Sequence, residues 1–396
     1  MKRTLAIGAL IFAASLTMSR PAAAAEPAAG QPYDIHVILP LTGGGAFLGA
    51  GHQDALTILA DVVNKSGGIQ GRPLHFVFHD DQTVPQVAVQ LTAQILAEKP
   101  AVILGSSLVA MCAAIAPLLK DSTVEYCLSP AYHPTAGSFA FSASASAIDQ
   151  TKAVTRYYRM KGWTKIATLN NTDATGQQND KATDLVVSLP ENKDLALVAR
   201  EHFNPTDISV AAQIERIRGA GAQAIEAGVT GLPAATVFKG MIQAGLDIPV
   251  APTSGNEVIS QMEQWKDFLP KGLVMGSALF PAHEGIWKLD PKIEAAQHEM
   301  YAALKAHNET ADNVVATCWD AGLIVVEALK ALGPDATAQQ IHAYIAGLTD
   351  FAGIDGLYNF KENPERGLGS DSGIVVRYDP AKKAFVWLTK PGGDPL

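Results

Sequence analysis

One feature constrains this chain more than any other: short apolar runs alternate with longer stretches of helical spacing, and the alternation occurs twice. Tyr33–Leu39 (YDIHVIL) reads as a strand, broken by Pro40 and then by Leu41-Thr42-Gly43-Gly44-Gly45. Over 54–64 the apolar residues Ala55, Leu56, Ile58, Leu59, Val62 and Val63 keep a helical period. Ser66-Gly67-Gly68 ends that helix, glycine being the residue that tolerates a left-handed cap. Residues 74–78 form a second strand that ends at His79-Asp80-Asp81. A helix over 85–98, a strand over 101–104, a helix over 110–119 and a strand over 124–128 complete the first set. Strands alternating with helices of about 10–15 residues indicate βαβ units and a parallel sheet.

After a loop over 129–146 the rhythm restarts. Helices over 149–160, 178–187, 210–218 and 234–243 precede strands over 165–169, 195–198, 224–227 and 248–251, and a strand over 273–277 closes the set. Segments 293–304, 314–332 and 338–345 are helical without strands of their own. The tail holds strands over 374–378 and 384–388, separated by the turn Asp379-Pro380-Ala381-Lys382. Helices lacking strands pack most simply onto a lobe already built, so the chain should cross between lobes more than once. The expected fold class is α/β: two lobes, each a parallel-rich sheet flanked by helices, hinged about a cleft. The expected division is 31–147 and 279–350 in lobe 1, with 148–278 and 351–396 in lobe 2.

Residues 1–25 stand outside this pattern. Lys2 and Arg3 precede a short apolar core from Leu5 to Leu16, and Ala23-Ala24-Ala25 offers a cleavage site. This is the layout of a secretory signal peptide, too short in its core to span a bilayer. The mature chain is expected to begin near Glu26 and to reach the periplasm, and no cysteine lies near the cut to carry a lipid anchor. The roughly 370 residues that remain exceed one ordinary core, which agrees with two lobes. A net charge of −9 argues against a nucleic-acid backbone binder, which would show a basic stripe.

Cys112 falls in the first turns of the helix after Gly105-Ser106-Ser107-Leu108, and Cys127 in the next strand. A bridge between them would close a loop of roughly 15 residues, contributing ~3 kcal/mol in the chain-entropy model. Three buried thiols, with Cys318, are the alternative, and the sequence leaves both open. No CxxC or HxxxH spacing accompanies them, so neither a metal nor a cofactor is expected.

In open parallel sheets ligands bind beyond the carboxyl ends of the strands. The turns to examine are Pro40 to Gly43, Gly105 to Leu108 and Ser129 to His133 in the first set, and Thr172 to Gly176, Gly228 to Leu232 and Pro252 to Asn256 in the second. Each places Gly, Ser or Thr before a helix, whose N-terminus suits a carboxylate. Gly105-Ser106-Ser107 lacks the Gly-x-Ser-x-Gly of a nucleophile elbow and the Gly-Lys-Ser/Thr of a phosphate loop. A plain helix cap by Ser106 or Ser107 is its simplest reading, and agreement among several turns is what favours a ligand. His79-Asp80-Asp81 reads as turn and charge-pairing residues rather than a cation site. No catalytic set emerges, so an enzyme is not expected.

Together these residues resemble the type I periplasmic solute-binding proteins of the leucine/isoleucine/valine-binding family, which serve ABC importers. The resemblance is carried by Ile38-Leu39-Pro40-Leu41-Thr42-Gly43, by Val63 to Gly71 (VNKSGGIQG), by Asp80-Asp81-Gln82, by Ile103 to Ser107 and by Leu128-Ser129-Pro130-Ala131. Trp319-Asp320-Ala321, Phe351 to Gly356 (FAGIDG) and Phe360 extend it to nearly the whole mature chain. It implies a small-molecule carboxylate held between the lobes and handed to an ABC permease in the inner membrane, by a protein expected to be a monomer. Carried over, Val109 stands where many relatives have Ser or Thr, so Ser107 supplies the hydroxyl and Val109 and Ala110 the backbone. Ala131 and His133 match a second clamp, while Thr175, Thr230 and Gly231 match contact turns of the other lobe. Amino-acid binders of the family place an acid in the turn matching Pro252 to Asn256 to hold the ligand ammonium; this chain has Thr253 and Ser254 there. The resemblance with that departure implies a carboxylate without an α-ammonium, an aromatic or 2-keto acid, with Phe47, Tyr132 and Phe280 as ring contacts. The rivals are a branched-chain amino acid or amide binder, with Glu257 or Asp173 taking the ammonium, and a periplasmic sensor subunit.

Overall fold

The computed structural model describes residues 29–281 and 286–396, and the expected leader lies outside them. The first set of elements is β1 (Tyr33–Leu39), α1 (Ala46–Lys65), β2 (Leu74–Asp80), α2 (Pro85–Ile95), β3 (Val102–Leu104), α3 (Val109–Leu119), β4 (Val124–Cys127) and β5 (Ala140–Ser142). Its five strands form a parallel sheet in the order β2-β1-β3-β4-β5. Strand β1 is buried from Ile35 onward on both faces, as a parallel sheet covered on both sides requires. One face packs with α1 through Ala55, Leu56, Leu59 and Val63, the other with α2 and α3 through Ala88, Ile95, Met111 and Ile115.

The second set is α4 (Ala147–Met160), β6 (Lys165–Asn171), α5 (Ala174–Val187), β7 (Ala196–Phe203), α6 (Ala211–Gly219), β8 (Ala224–Ala227), α7 (Leu232–Ala244), β9 (Val250–Pro252), α8 (Ile259–Trp265) and β10 (Met275–Ser277). Its parallel sheet runs β7-β6-β8-β9. Ser146 caps α4 by accepting the Asp149 N–H, and Asp173 caps α5 by accepting that of Gly176. Helices α9 (Pro291–Ala306), α10 (Asn313–Leu332) and α11 (Ala338–Gly347) follow. They pack onto the first core through Met300, Leu304, Trp319, Val325, Ile341 and Ile345. The hairpin β11 (Phe351–Ala352) and β12 (Leu357–Tyr358) precedes β13 (Ile374–Asp379) and β14 (Ala384–Trp387).

Three details differ from expectation. The segment closing the second set continues the parallel sheet only by a bridge from Leu273 to Val250; β10 itself pairs antiparallel with β13, in a sheet ordered β10-β13-β14. The loop over 129–146 contains β5. Residues 351–396 do not all join the second lobe: Ile354, Tyr358, Phe360 and Leu368 are buried in the first core, and Ile374 onward in the second.

The chain therefore passes between the two cores three times, after β5, after β10, and between β12 and β13. Polar contacts bind these passages together. Ser144 donates to Asp355 and Ser277 to Glu257, at 2.6 and 2.9 Å. Buried Arg366 donates from one guanidinium nitrogen to the carbonyls of Ala143 and Ser144, and from another to those of Pro130 and Tyr132. Both sheets reverse strand order at their first strand, β1 between β2 and β3 and β6 between β7 and β8, which is where such sheets open a crevice.

Candidate ligand-binding site

Turns following strands of both sheets converge on one cavity. From the first lobe come Ser107, Leu108 and Val109 after β3 and Leu128 to Ala131 after β4, with Leu48 and His52 of α1 and Asn313 and Thr317 of α10. From the second come Thr175 and Asn179 after β6, Thr230 after β8 and Pro252 to Gly255 after β9, with Gln150, Thr151 and Val154 of α4. Gly105 permits the tight exit from β3, since a Cβ there would meet Glu125 Oε1 at 2.8 Å and Cys127 Cα at 3.3 Å.

The two serines have separate partners, and neither caps α3. Ser106 donates to the Asp81 carboxylate at 2.6 Å, and Ser107 Oγ lies 2.7 Å from His52 Nδ1. Helix α3 starts from Leu108 with no side-chain cap. Met111 and Cys112 turn their N–H groups to the Leu108 carbonyl. The Val109 and Ala110 N–H groups, at the open end, have no preceding turn to bond with. Asp80 instead organises the neighbouring turn, accepting from Leu41, Thr42 and Gln82.

Hydrogen-bond donors can be assigned along the first-lobe wall. Thr317 Oγ1 donates its one proton to the Asn313 carbonyl at 3.0 Å, so it accepts from His52 Nε2 at 2.8 Å. His52 is then the Nε2–H tautomer, and Ser107 donates to its Nδ1. Burial pushes the imidazole down to about 3, keeping it neutral. Across the cavity Thr253 donates to the Val229 carbonyl, so Thr230 donates to Thr253 at 2.6 Å. Asn256 fastens these turns by donating to Val229 and Thr253 and accepting from Gly231.

Among the described residues no Lys, Arg or aromatic side chain lines the cavity, and Glu226 is its one carboxylate. Both Glu226 oxygens accept from hydroxyls, of Thr155 at 2.9 Å and Thr183 at 3.0 Å. Burial raises this carboxyl to about 7 despite those bonds.

Of the residues singled out from sequence, Ser107, Val109, Ala131, Thr175, Thr230 and Ser254 lie on this cavity. Ala110 packs toward α2 and the other face of the sheet. Tyr132 is buried with Val109, Cys112 and Cys127, and His133 is exposed and does not line the cavity. Phe280 is sealed in the first core, its carbonyl accepting from Tyr301. Phe47 lies beside a second cavity and against Gly231, where a Cβ would meet its ring at 3.0 Å. The three expected ring contacts are thus elsewhere, Tyr132 and Phe280 taken up by packing and Phe47 half-buried beside the second cavity. Neither Glu257 nor Asp173 lines the cavity: Glu257 is fully buried beneath its turn, held by Ser277, and Asp173 is the α5 cap. His52 and Asn313 were missed, since both lie just ahead of the helical stretches that spacing marks at 54–64 and 314–332.

Cys112 and Cys127 form a disulfide directly behind this site, and Cys318 is a buried free thiol. Glu125 is the third metal-type side chain near that pair, whose two sulfurs are already joined to each other. No helix among the described residues is long and apolar enough to cross a membrane.

Known proteins share this architecture. A chemotactic signal-transduction substrate-binding protein of Halobacterium salinarum, BasB, is 39% identical over 80 residues, which span 19% of this chain and only 19% of that relative's length. Among solved structures, a Rhodopseudomonas palustris protein, Rp1789, superposes with a TM-score of 0.79 at 20% identity, covering 91% of this chain and all of that one. LivJ of Streptococcus pneumoniae, solved with isoleucine, gives 0.73 at 17% identity over 92% and 98% of the two chains. An R. palustris ABC-transporter solute-binding protein, solved with benzoate, gives 0.70 at 18% identity over 92% and 97%. The family described as periplasmic binding protein matches residues 32–383. With two α/β lobes closing on one cavity and a family match across nearly all of it, the chain belongs to the type I periplasmic binding proteins.

Proposed function

We propose that the protein captures a small carboxylate lacking an α-ammonium in the cavity between its lobes, without chemistry, and delivers it to an ABC permease. The observation that carries this reading is the uncapped start of α3 on the cavity wall. Free backbone N–H groups and the helix dipole favour an anion there, and the Ser107 hydroxyl lies beside them. Beside its many polar residues the wall has an aliphatic part, with Leu48, Leu108, Leu128, Pro130 and Val154. This suits 2-oxo or branched acids, and it accommodates an aromatic acid only by packing, not by ring stacking.

Glu226 is a weak partner for an α-ammonium, since two hydroxyls already bond to it and burial raises its carboxyl to about 7. Burying an unpaired ammonium is costly. The reading therefore follows the relative solved with benzoate more closely than the one solved with isoleucine. The similarity to BasB favours a second reading, in which the same capture serves a chemosensory partner; co-purification of membrane partners separates the two.

A thermal-shift panel tests the ligand class, because a ligand present at 100 times its Kd adds about 2.7 kcal/mol of stability. Benzoate, 4-methyl-2-oxopentanoate or 3-methylbutanoate should raise the melting temperature, and leucine, isoleucine and simple amides should not. Stabilisation by leucine or an amide, with none by the acids, would overturn the reading.

A further inference from the structure

We infer that the ligand carries, besides its carboxylate, an uncharged hydrogen-bonding group, a hydroxyl or an amide, seated against Asn313. The inference rests on the carboxylate reading and adds the chemistry of the ligand's other polar end. Asn313 is the first residue of α10 and stands on the cavity wall. It is only 3% exposed, and its Oδ1 has no hydrogen-bond partner in the protein. An acceptor left in that condition costs on the order of 1–3 kcal/mol, which a donor brought by the ligand removes.

The neighbouring groups cannot supply that donor. Thr317 spends its proton on the Asn313 main-chain carbonyl, and His52 Nε2 is engaged by Thr317. The adjacent Asp312 is itself an acceptor, taking the N–H groups of Ile259, Val314 and Val315. What remains is the cavity.

Charge decides which donor belongs there. Asp312 and Glu226 already accept from three backbone amides and two hydroxyls, and the Glu257 carboxyl is fully buried against Ser277. A ligand ammonium would find one amide dipole at Asn313 and no exposed carboxylate beside it. A hydroxyl or amide instead offers both a donor and an acceptor, and a carboxamide answers both. The first-lobe wall then reads as a polar rail, with the anion at Ser107 and α3 and the neutral group at Asn313. Asn313 lies about 6 Å along α10 from Thr317, whose hydroxyl His52 links to Ser107.

Calorimetry on matched sets tests this. One set is 3-methylbutanoate, 2-hydroxy-3-methylbutanoate, 3-hydroxy-3-methylbutanoate and L-valine; the other is benzoate, 3-hydroxybenzoate and 4-carbamoylbenzoate. In at least one set a hydroxy or amido acid should bind tenfold or more tightly than its parent acid. N313L should erase that difference, and N313D should shift preference toward valine. Equal binding of parent and derivative, or a difference that survives N313L, overturns the inference and leaves the carboxylate reading intact. If no acid of either set binds, both fall. Melting curves of N313L and N313D without ligand establish that the variants fold.

Discussion

At the residue scale, the proton order along Ser107, His52 and Thr317 gives the cavity two states. With Thr317 donating to the Asn313 carbonyl, His52 carries its proton on Nε2 and Ser107 donates to Nδ1. A carboxylate that claims the Ser107 proton reverses the chain, moving the imidazole proton to Nδ1. Nitrogen NMR of the His52 ring should show that tautomer change on binding, and an unchanged ring would contradict it. S107A should weaken acid binding about tenfold, the worth of one hydrogen bond to a charged group, as calorimetry reads it. The turns that hold Ser107, Val109 and Thr230 were legible in the sequence because strand-to-helix turns announce themselves by composition, while the choice of these residues came from the family resemblance. Asn313 was not, because what distinguishes it is an unpaired oxygen that only the folded neighbourhood creates. Tyr132 and Phe280 misled for a related reason, since an aromatic near a turn in sequence serves the core unless the fold leaves it room, and Phe47 faces the second cavity instead.

At the scale of elements, α3 is the part on which binding depends, and the disulfide pins its second turn to β4. Cys112 and Cys127 are 15 residues apart, and the Ser107–Val109 turn lies just ahead of Cys112, outside the loop they close but on the helix they anchor. The double variant C112A/C127A should lose about 3 kcal/mol of stability in denaturant unfolding and bind acids more weakly; unchanged stability would show the bridge to be idle. Arg366 acts on the facing loop, tying Pro130 and Tyr132 to the passage at Ala143 and Ser144. R366M leaves four buried carbonyls without that donor. It should lower the melting temperature and reduce acid affinity together, and a normal affinity would free the Ser129–Ala131 turn from any dependence on this clamp. The long periodic elements were readable, but β5, α8 and the β11–β12 hairpin were not. They span three, seven and two residues per strand or helix, too short for a period to register.

At the scale of the whole molecule, the double rhythm of strands and helices carried the two-lobe architecture into view, while the return of 354–368 to the first core depends on contacts that local pattern does not encode. The structure also stores acids whose carboxyls burial raises. Glu226 rises from 4.5 to about 7, and Glu125 and Glu257 are pushed well above the usual carboxyl range. Their folded values exceed their unfolded ones, so the folded chain holds protons that the unfolded chain releases. Glu226's contribution is complete below about pH 4.5 and is lost as pH rises through about 7. His52 opposes this, since its folded value of about 3 costs stability as pH falls below 6.5. Above pH 6.5 only the acids act, so stability should decline toward alkaline pH, by about 1.4 kcal/mol per unit for each such group still titrating. Denaturation at pH 6, 7 and 8 measures the slope, and E226Q should flatten its lower half. The most direct test of the central claim is a crystal structure of the protein with the tightest-binding acid of the panel. The ligand carboxylate should lie within about 3 Å of the Val109 and Ala110 amide nitrogens and of Ser107 Oγ, between lobes that both touch it. A carboxylate seated against the second lobe, with the start of α3 left free, would contradict the account.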